Sequence, residues 1–150
     1  MERVFLSYKE EDTAELASKV AAICRIGDVW ALSGTLGAGK SVFARAFIKS
    51  LTNVNEVPSP TFTLVQTYTA DAFEIYHYDL YRLEKPIEIF ELGVEHSFYS
   101  GVNLVEWPEK MGSFAPRDMW RINIEIDKEG LRRITIMAPD EEKANRLQNI

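Results

Sequence analysis

One stretch of eight residues limits the fold more than any other. Gly34-Thr35-Leu36-Gly37-Ala38-Gly39-Lys40-Ser41 matches G-x-x-x-x-G-K-[ST] in full. A chain of 150 residues shows this pattern by chance in roughly half a percent of cases. Its flanks narrow the choice further. Val29-Trp30-Ala31-Leu32, a nearly unbroken apolar run, precedes it and suits a strand covered on both faces. Phe43, Phe47 and Leu51 follow at i, i+4 and i+8, the spacing of a helix with one apolar side. Strand, glycine-rich turn and helix in that order make a cradle for phosphate. Glycines let backbone N–H groups turn inward around an anion, and the helix adds its unpaired N–H groups and positive dipole end. Lys40 is placed to neutralise β- and γ-phosphates and the Ser41 hydroxyl to ligate Mg²⁺. The motif therefore predicts a nucleoside triphosphate site.

The Asn-Lys-x-Asp element that reads guanine is absent, since none of Asn53, Asn55 and Asn103 precedes a lysine. ATP follows by elimination. Only Val42 to Ile150 lies beyond the loop, with no arginine-rich insertion of the kind a metabolite kinase uses as a lid. Hydrolysis coupled to conformational change fits better than transfer to a small molecule. A small P-loop kinase and a non-hydrolysing nucleotide-binding adaptor are the other classes this sequence admits.

Composition agrees with one soluble α/β domain spanning residues 1–150. Seventeen basic against twenty-three acidic residues give a net charge of −6, which argues against holding nucleic acid directly. No apolar run approaches the roughly 20 residues that span a bilayer. Met1-Glu2-Arg3-Val4-Phe5 lacks the pattern of a cleaved signal, and the single Cys24 cannot form an internal disulfide. A reducing cytoplasm is the expected setting.

Along the chain, Leu16, Val20 and Ile23 mark an N-terminal helix, whose start Ser7 with Glu10, or Asp12 alone, would cap. Pro58 and Pro60 bracket a non-helical loop. Phe62 to Tyr68 and Phe73 to Tyr81 read as a hairpin, Pro86 opens a short helix stopped by Gly93, and Asn103 to Trp107 is a strand ended by Pro108. Alternating Ile122, Ile124, Ile126 and Ile134, Ile136 form a second hairpin, and a terminal helix follows Asp140.

A P-loop enzyme also needs a carboxylate near its metal and a group that places water. Asp79 and Glu106 close two strand-like runs, Ile75-Tyr76-His77-Tyr78-Asp79 and Leu104-Val105-Glu106. Strand ends in open α/β sheets face the ligand crevice, so both acids are candidates. Thr61, in Ser59-Pro60-Thr61-Phe62, reads either as a switch facing the γ-phosphate or as an ordinary turn residue. His77 with Asp79 makes too small a set for a metal, and Cys24 reads as a buried thiol. Tyr76, Tyr78, Tyr81, Phe98 and Tyr99 lack interleaved basic residues and read as core or partner-facing. Arg132-Arg133 is a solvated hairpin edge or a contact to nucleotide or partner.

GTLGAGKS, SPTF, HYDLYRL and LVEWPEK occur in this order over nearly the whole chain, which resembles the TsaE (YjeE) family of bacterial P-loop ATPases. The resemblance implies a three-layer P-loop NTPase-like domain with a mixed sheet and a C-terminal β-hairpin. It implies a Mg²⁺-dependent ATPase serving threonylcarbamoyl-adenosine formation at position 37 of tRNAs that read codons beginning with A. Partners resembling TsaD and TsaB would join it, tRNA would be held only indirectly, and no membrane is involved. By the same resemblance Leu36, Gly37, Ala38, Gly39, Lys40 and Ser41, with Gly34 at the loop's start, hold the phosphates, and Ser41 and Glu106 hold Mg²⁺. Asp79 serves hydrolysis with Lys40, Thr61 lies in the switch-like loop and Trp107 shapes the site. The usual loop ends Gly-Lys-Thr-Thr, whereas this one ends Gly-Lys-Ser-Val. Val42 lacks the second hydroxyl, so backbone N–H must serve the α-phosphate. Phe62 stands where Tyr is common.

Overall fold

The computed structural model describes residues 1–35 and 37–150. Seven strands form one mixed sheet: β1 (Glu2–Ser7), β2 (Val29–Gly34), β3 (Val65–Thr69), β4 (Glu74–Asp79), β5 (Val102–Glu106), β6 (Trp120–Ile126) and β7 (Arg132–Met137). Their spatial order is β1-β7-β6-β2-β5-β4-β3. The centre is parallel, with β2 between β5 and β6 and β4 beside β5, and both edges are antiparallel. β2 and β5 are central, which is why they are apolar almost throughout rather than alternating.

Helices cover both faces. α1 (Glu10–Ile23) and α2 (Lys40–Leu51) pack on one, burying Leu16, Val20, Phe43 and Phe47 against Trp30, Leu32 and Leu104. The opposite face carries Val29, Ala31 and Val105, covered by the 3-10 segments Pro86–Leu92 and Pro108–Phe114 and by α3 (Val94–Ser100). Alternate residues of β2 thus feed two separate cores, as the three-layer expectation requires. Trp30 and Trp120 stack at 4.2 Å between ring centroids inside the first core. α4 (Glu141–Leu147) closes the chain, and Asp140 caps it by accepting from Lys143 N–H at 2.9 Å.

Several local expectations change. The expected N-terminal helix is preceded by a strand, β1, which pairs with β7 at the sheet edge, with Val4 and Leu6 turned to solvent. α1 begins after Lys9, which offers no side-chain cap; the Ser7 hydroxyl instead meets Thr13, and Asp12 accepts from Tyr8 N–H. β3 starts at Val65 rather than Phe62, because Thr61 to Leu64 turn, with Leu64 left-handed at φ 69°. Gly93, at φ 77°, ends one helical segment but immediately starts α3, whose Val94 and Ser97 are buried. Pro108 ends β5's run and opens a further 3-10 segment.

Candidate functional site

The crevice lies at the C-terminal ends of β2, β4 and β5. β2 delivers the chain at Gly34, whose φ is 133° and where a Cβ would collide with the Ile124 carbonyl of β6. Only glycine lets the loop leave so close to its neighbouring strand. The loop is then tied to β6: Thr35 N–H donates to Ile124 O at 3.2 Å and the Thr35 hydroxyl to Glu125 at 2.6 Å. Bonds from Thr35 and Asn123 hold the Glu125 carboxyl below its usual range. Gly39 precedes α2 with φ 111°, so the cradle turns on a second left-handed glycine. Gly37, at φ 82°, and buried Ala38 complete the described part of the loop; Leu36 lies outside the described residues.

Lys40 is 8% exposed, and its ammonium lies 4.6 Å above the Trp107 ring. A cation on an indole face gains about 0.5–2 kcal/mol, little enough for a polyphosphate to draw it away. Trp107 has φ 59° and ψ 51°, a left-handed conformation that costs a non-glycine residue about 1–2 kcal/mol. Strain of this kind persists where the surroundings fix it. Here Glu106 O accepts from Leu80 N–H at 3.1 Å before the kink, Pro108 follows it, and the ring packs 5.0 Å from Tyr81.

Asp79 and Glu106 are register partners at the ends of β4 and β5, so parallel pairing places the two acids side by side. Each Asp79 oxygen already accepts a bond: Oδ2 from the Thr61 hydroxyl at 2.9 Å and Oδ1 from Tyr81 N–H at 3.0 Å. Thr61 has one hydroxyl proton and gives it to the carboxylate, so the Ser59 hydroxyl, 2.8 Å away, donates to Thr61. Asp79 N–H also holds Leu64 O at 3.0 Å, so Asp79 fastens both the Ser-Pro-Thr-Phe loop and the turn that follows it to β4. Lys40, Thr61, Asp79, Glu106 and Trp107 line one cavity of about 460 Å³. A second, of about 290 Å³, shares Lys40 and Glu106 with it and reaches Gly39, Ser41, Val42 and Arg132.

Mg²⁺ takes hard oxygen ligands, keeps several waters and asks a protein for one or two side chains besides substrate phosphate. The Ser41 hydroxyl is exposed and shares a cavity with Glu106, so this donor set fits. Among the described residues no cluster of three or more His, Cys, Asp and Glu could hold a metal by itself.

Two residues gain functions that their spacing did not reveal. His77, two residues before Asp79 on the same strand face, is 3% exposed and places Nε2 2.7 Å from Glu106 Oε2. An ionised carboxylate only accepts, so Nε2–H donates and one oxygen of Glu106 is fixed in place. His77 Nδ1 is buried without a partner among the described residues. The period-two alternation His77-x-Asp79 was the available signal, since it aims both side chains the same way. Arg132 reaches the loop from β7, donating Nε–H to Ala38 O at 2.8 Å. Arg133 is exposed at the hairpin edge.

Cys24 is half-buried, and burial pushes its thiol up to about 12, with Asp28 adding to the effect. A raised pKa disfavours the thiolate, the reactive form. Among the described residues no helix is long and apolar enough to cross a membrane.

Comparison with known proteins agrees with this architecture. The family model described as threonylcarbamoyl adenosine biosynthesis protein TsaE matches residues 7–134. A TsaE of Rickettsia felis, named a tRNA threonylcarbamoyladenosine biosynthesis protein, is 40% identical over 136 residues, covering 90% of this chain and 80% of that protein. The Bacillus subtilis protein of the same name is 37% identical over 129 residues, 85% of this chain and 80% of that one. The crystal structure of Bacillus subtilis YdiB superposes with a TM-score of 0.84 at 28% identity, covering 99% of this chain and 93% of that one. With a family model spanning most of the chain and relatives at 37–40% identity, the chain belongs to the TsaE family.

Proposed function

We propose that this chain is a Mg²⁺-dependent ATPase acting in the cytoplasm for threonylcarbamoyl-adenosine formation at position 37 of tRNA, with partners resembling TsaD and TsaB. The observation that carries the reading is the Ser59–Thr61–Asp79 hydrogen-bond chain, which ends in the cavity that Lys40 and Glu106 also line. Loop amides, Lys40 and Ser41 bind and orient the polyphosphate, with Lys40 leaving the Trp107 ring to meet it. Ser41 and Glu106 would hold Mg²⁺, and His77 keeps Glu106 turned toward it. When bound, the ion neutralises charge on the phosphate oxygens. Asp79 positions the attacking water and receives or steers its proton. Thr61, bonded to Asp79, couples the Ser-Pro-Thr-Phe loop to whatever occupies the γ-phosphate position.

The net charge of −6 leaves tRNA to the partners. The test is ATP turnover, measured for this chain alone and with its TsaD- and TsaB-like partners, for the native chain and for Asp79→Asn. Turnover that depends on Asp79 supports the reading. Tight ATP binding with turnover equal in both, alone and with partners, would make the chain a nucleotide-reading adaptor instead.

A further inference from the structure

We propose that the outer edge of β1 pairs with β1 of a second copy of this chain, joining two sheets through a two-fold axis at Val4. β1 ends the seven-strand order, and among the described residues no strand pairs with its outer side. Met1 and Ala138 exchange backbone hydrogen bonds, Met1 N to Ala138 O at 3.3 Å and Ala138 N–H to Met1 O at 2.9 Å. Bonding alternates along an antiparallel pair, so Arg3, Phe5 and Ser7 also direct their N–H and C=O groups at β7. Glu2, Val4 and Leu6 therefore present theirs outward. The next outward N–H, that of Tyr8, is taken by Asp12 at 2.9 Å, which ends the free edge. Neither proline nor a bulge blunts the strand.

Antiparallel pairing centred on Val4 engages all three outward residues. Glu2 faces Leu6 of the second copy, Val4 faces Val4, and Leu6 faces Glu2, each pair exchanging both bonds. The side chains are complementary in this register. Val4, Leu6 and Met137, 47%, 46% and 41% exposed, share one sheet face and turn to solvent. On that face Leu6 lies beside Arg133 of β7 and Glu2 beside Met137, so one chain holds this arginine and this glutamate four rungs apart. Neither has a salt-bridge partner among the described residues. The second copy brings its Glu2 opposite Leu6, which then lies between a glutamate and Arg133. The two charges stand across roughly 10 Å of sheet, a span that these long side chains close together. The same row forms again on the other side of the axis. On the opposite face Arg3 of the second copy comes against Phe5, at a groove of about 310 Å³ bordered by Asp12, Glu15 and Lys19. A patch that complements itself through a two-fold axis closes a dimer. β1 runs parallel to β2, by way of β7 and β6, so the two crevices open toward opposite ends of the joined sheet.

The experiment is sedimentation equilibrium of the native chain and Val4→Pro, with disulfide trapping of Val4→Cys and Leu6→Cys. The Val4 N–H points away from β7, so proline there removes no bond within the chain, and thermal melting checks each fold. The native chain should dimerise, and Val4→Pro should weaken the dimer at least about tenfold, since both bonds of the central pair are lost. Two copies of position 4 lie about 5.5 Å apart at Cα on the axis, within disulfide reach, whereas two copies of position 6 are about 14 Å apart. Val4→Cys should therefore cross-link at least about tenfold faster than Leu6→Cys, although the two positions are equally exposed. The native chain, with Cys24, sets the background rate. A native chain that stays monomeric overturns the proposal. So does a dimer that Val4→Pro leaves intact, or equal cross-linking at the two positions, because the contact then lies elsewhere. A monomeric native chain whose binding to TsaD- and TsaB-like partners is weakened by Val4→Pro also overturns it, and gives the edge to a strand of another protein.

Discussion

Asp28 and Lys40 flank the same strand, and the two ends of that strand treat buried charge in opposite ways. At the N-terminal end Arg146 of α4 forks onto Asp28, with Nη1 and Nη2 each 2.8 Å from one carboxylate oxygen. The same guanidinium donates to Ile23 O and Glu142 and lies 5.2 Å from the Trp120 ring centroid, while Asp28 also accepts from Arg25 N–H. Burial alone would lower the Arg146 pKa, but its bonds to Asp28 and Glu142 hold it above the ordinary value. At the C-terminal end Lys40 rests on an aromatic ring, Glu106 is held at one oxygen and His77 Nδ1 has no partner among the described residues. One end spends its charges on the fold; the other keeps hydrogen-bonding capacity in reserve. A buried ion pair with all its bonds made is a structural clasp, whereas incompletely matched charge beside a phosphate loop is the mark of a binding site.

Breaking each end separately tests the contrast. Arg146→Ala strands the Asp28 carboxylate, 4% exposed, without its counter-ion. Unfolding free energy should fall by about 3–5 kcal/mol in urea titration, with ADP affinity of the folded fraction unchanged. A variant as stable as the native chain would remove the clasp from the argument. Lys40→Ala and Asp79→Asn should do the reverse, reducing ATP turnover by about 100-fold or more while moving stability by less than about 1 kcal/mol.

His77→Leu sharpens the comparison at the reserved end. Glu106 keeps its charge but loses the bond that orients it, so the Mg²⁺ concentration for half-maximal turnover should rise about tenfold. Equal Mg²⁺ dependence in both proteins would reduce His77 to packing. The smallest effect belongs to Cys24, whose pKa of about 12 leaves almost no thiolate at pH 8. Disulfide reagents should modify it at least about 100-fold more slowly than in unfolded chain.

The two ends also differ in how readable they are. The phosphate loop, Asp79 and Glu106 announce themselves because their chemistry is written in contiguous residues: glycines before a lysine, an acid after an apolar run. The clasp does not, since Asp28 and Arg146 are 118 positions apart and no local period connects them. Arg132 stands out in the sequence as one of a basic pair, but its contact does not, the partner being a backbone carbonyl, which no side-chain pattern encodes. β1 is hidden for another reason. Val4 and Leu6 point outward and Arg3 and Phe5 inward, an edge strand whose alternation reverses the usual rule, and Arg3 is drawn in by the carbonyls of Leu147 and Ile150. The 3-10 segments lack the regular 3.6 period by which helices are recognised. β2 and β5 are legible because burial on both faces leaves nearly unbroken apolar runs.

The ammonium parked on Trp107 gives the molecule an optical gauge of its own occupancy. Of the three tryptophans, Trp30 and Trp120 are fully buried against each other and contribute a steady background. Of the three, Trp107 borders the crevice, so withdrawal of the Lys40 cation toward an arriving anion would alter the field across a single indole and should register in its emission without any attached dye.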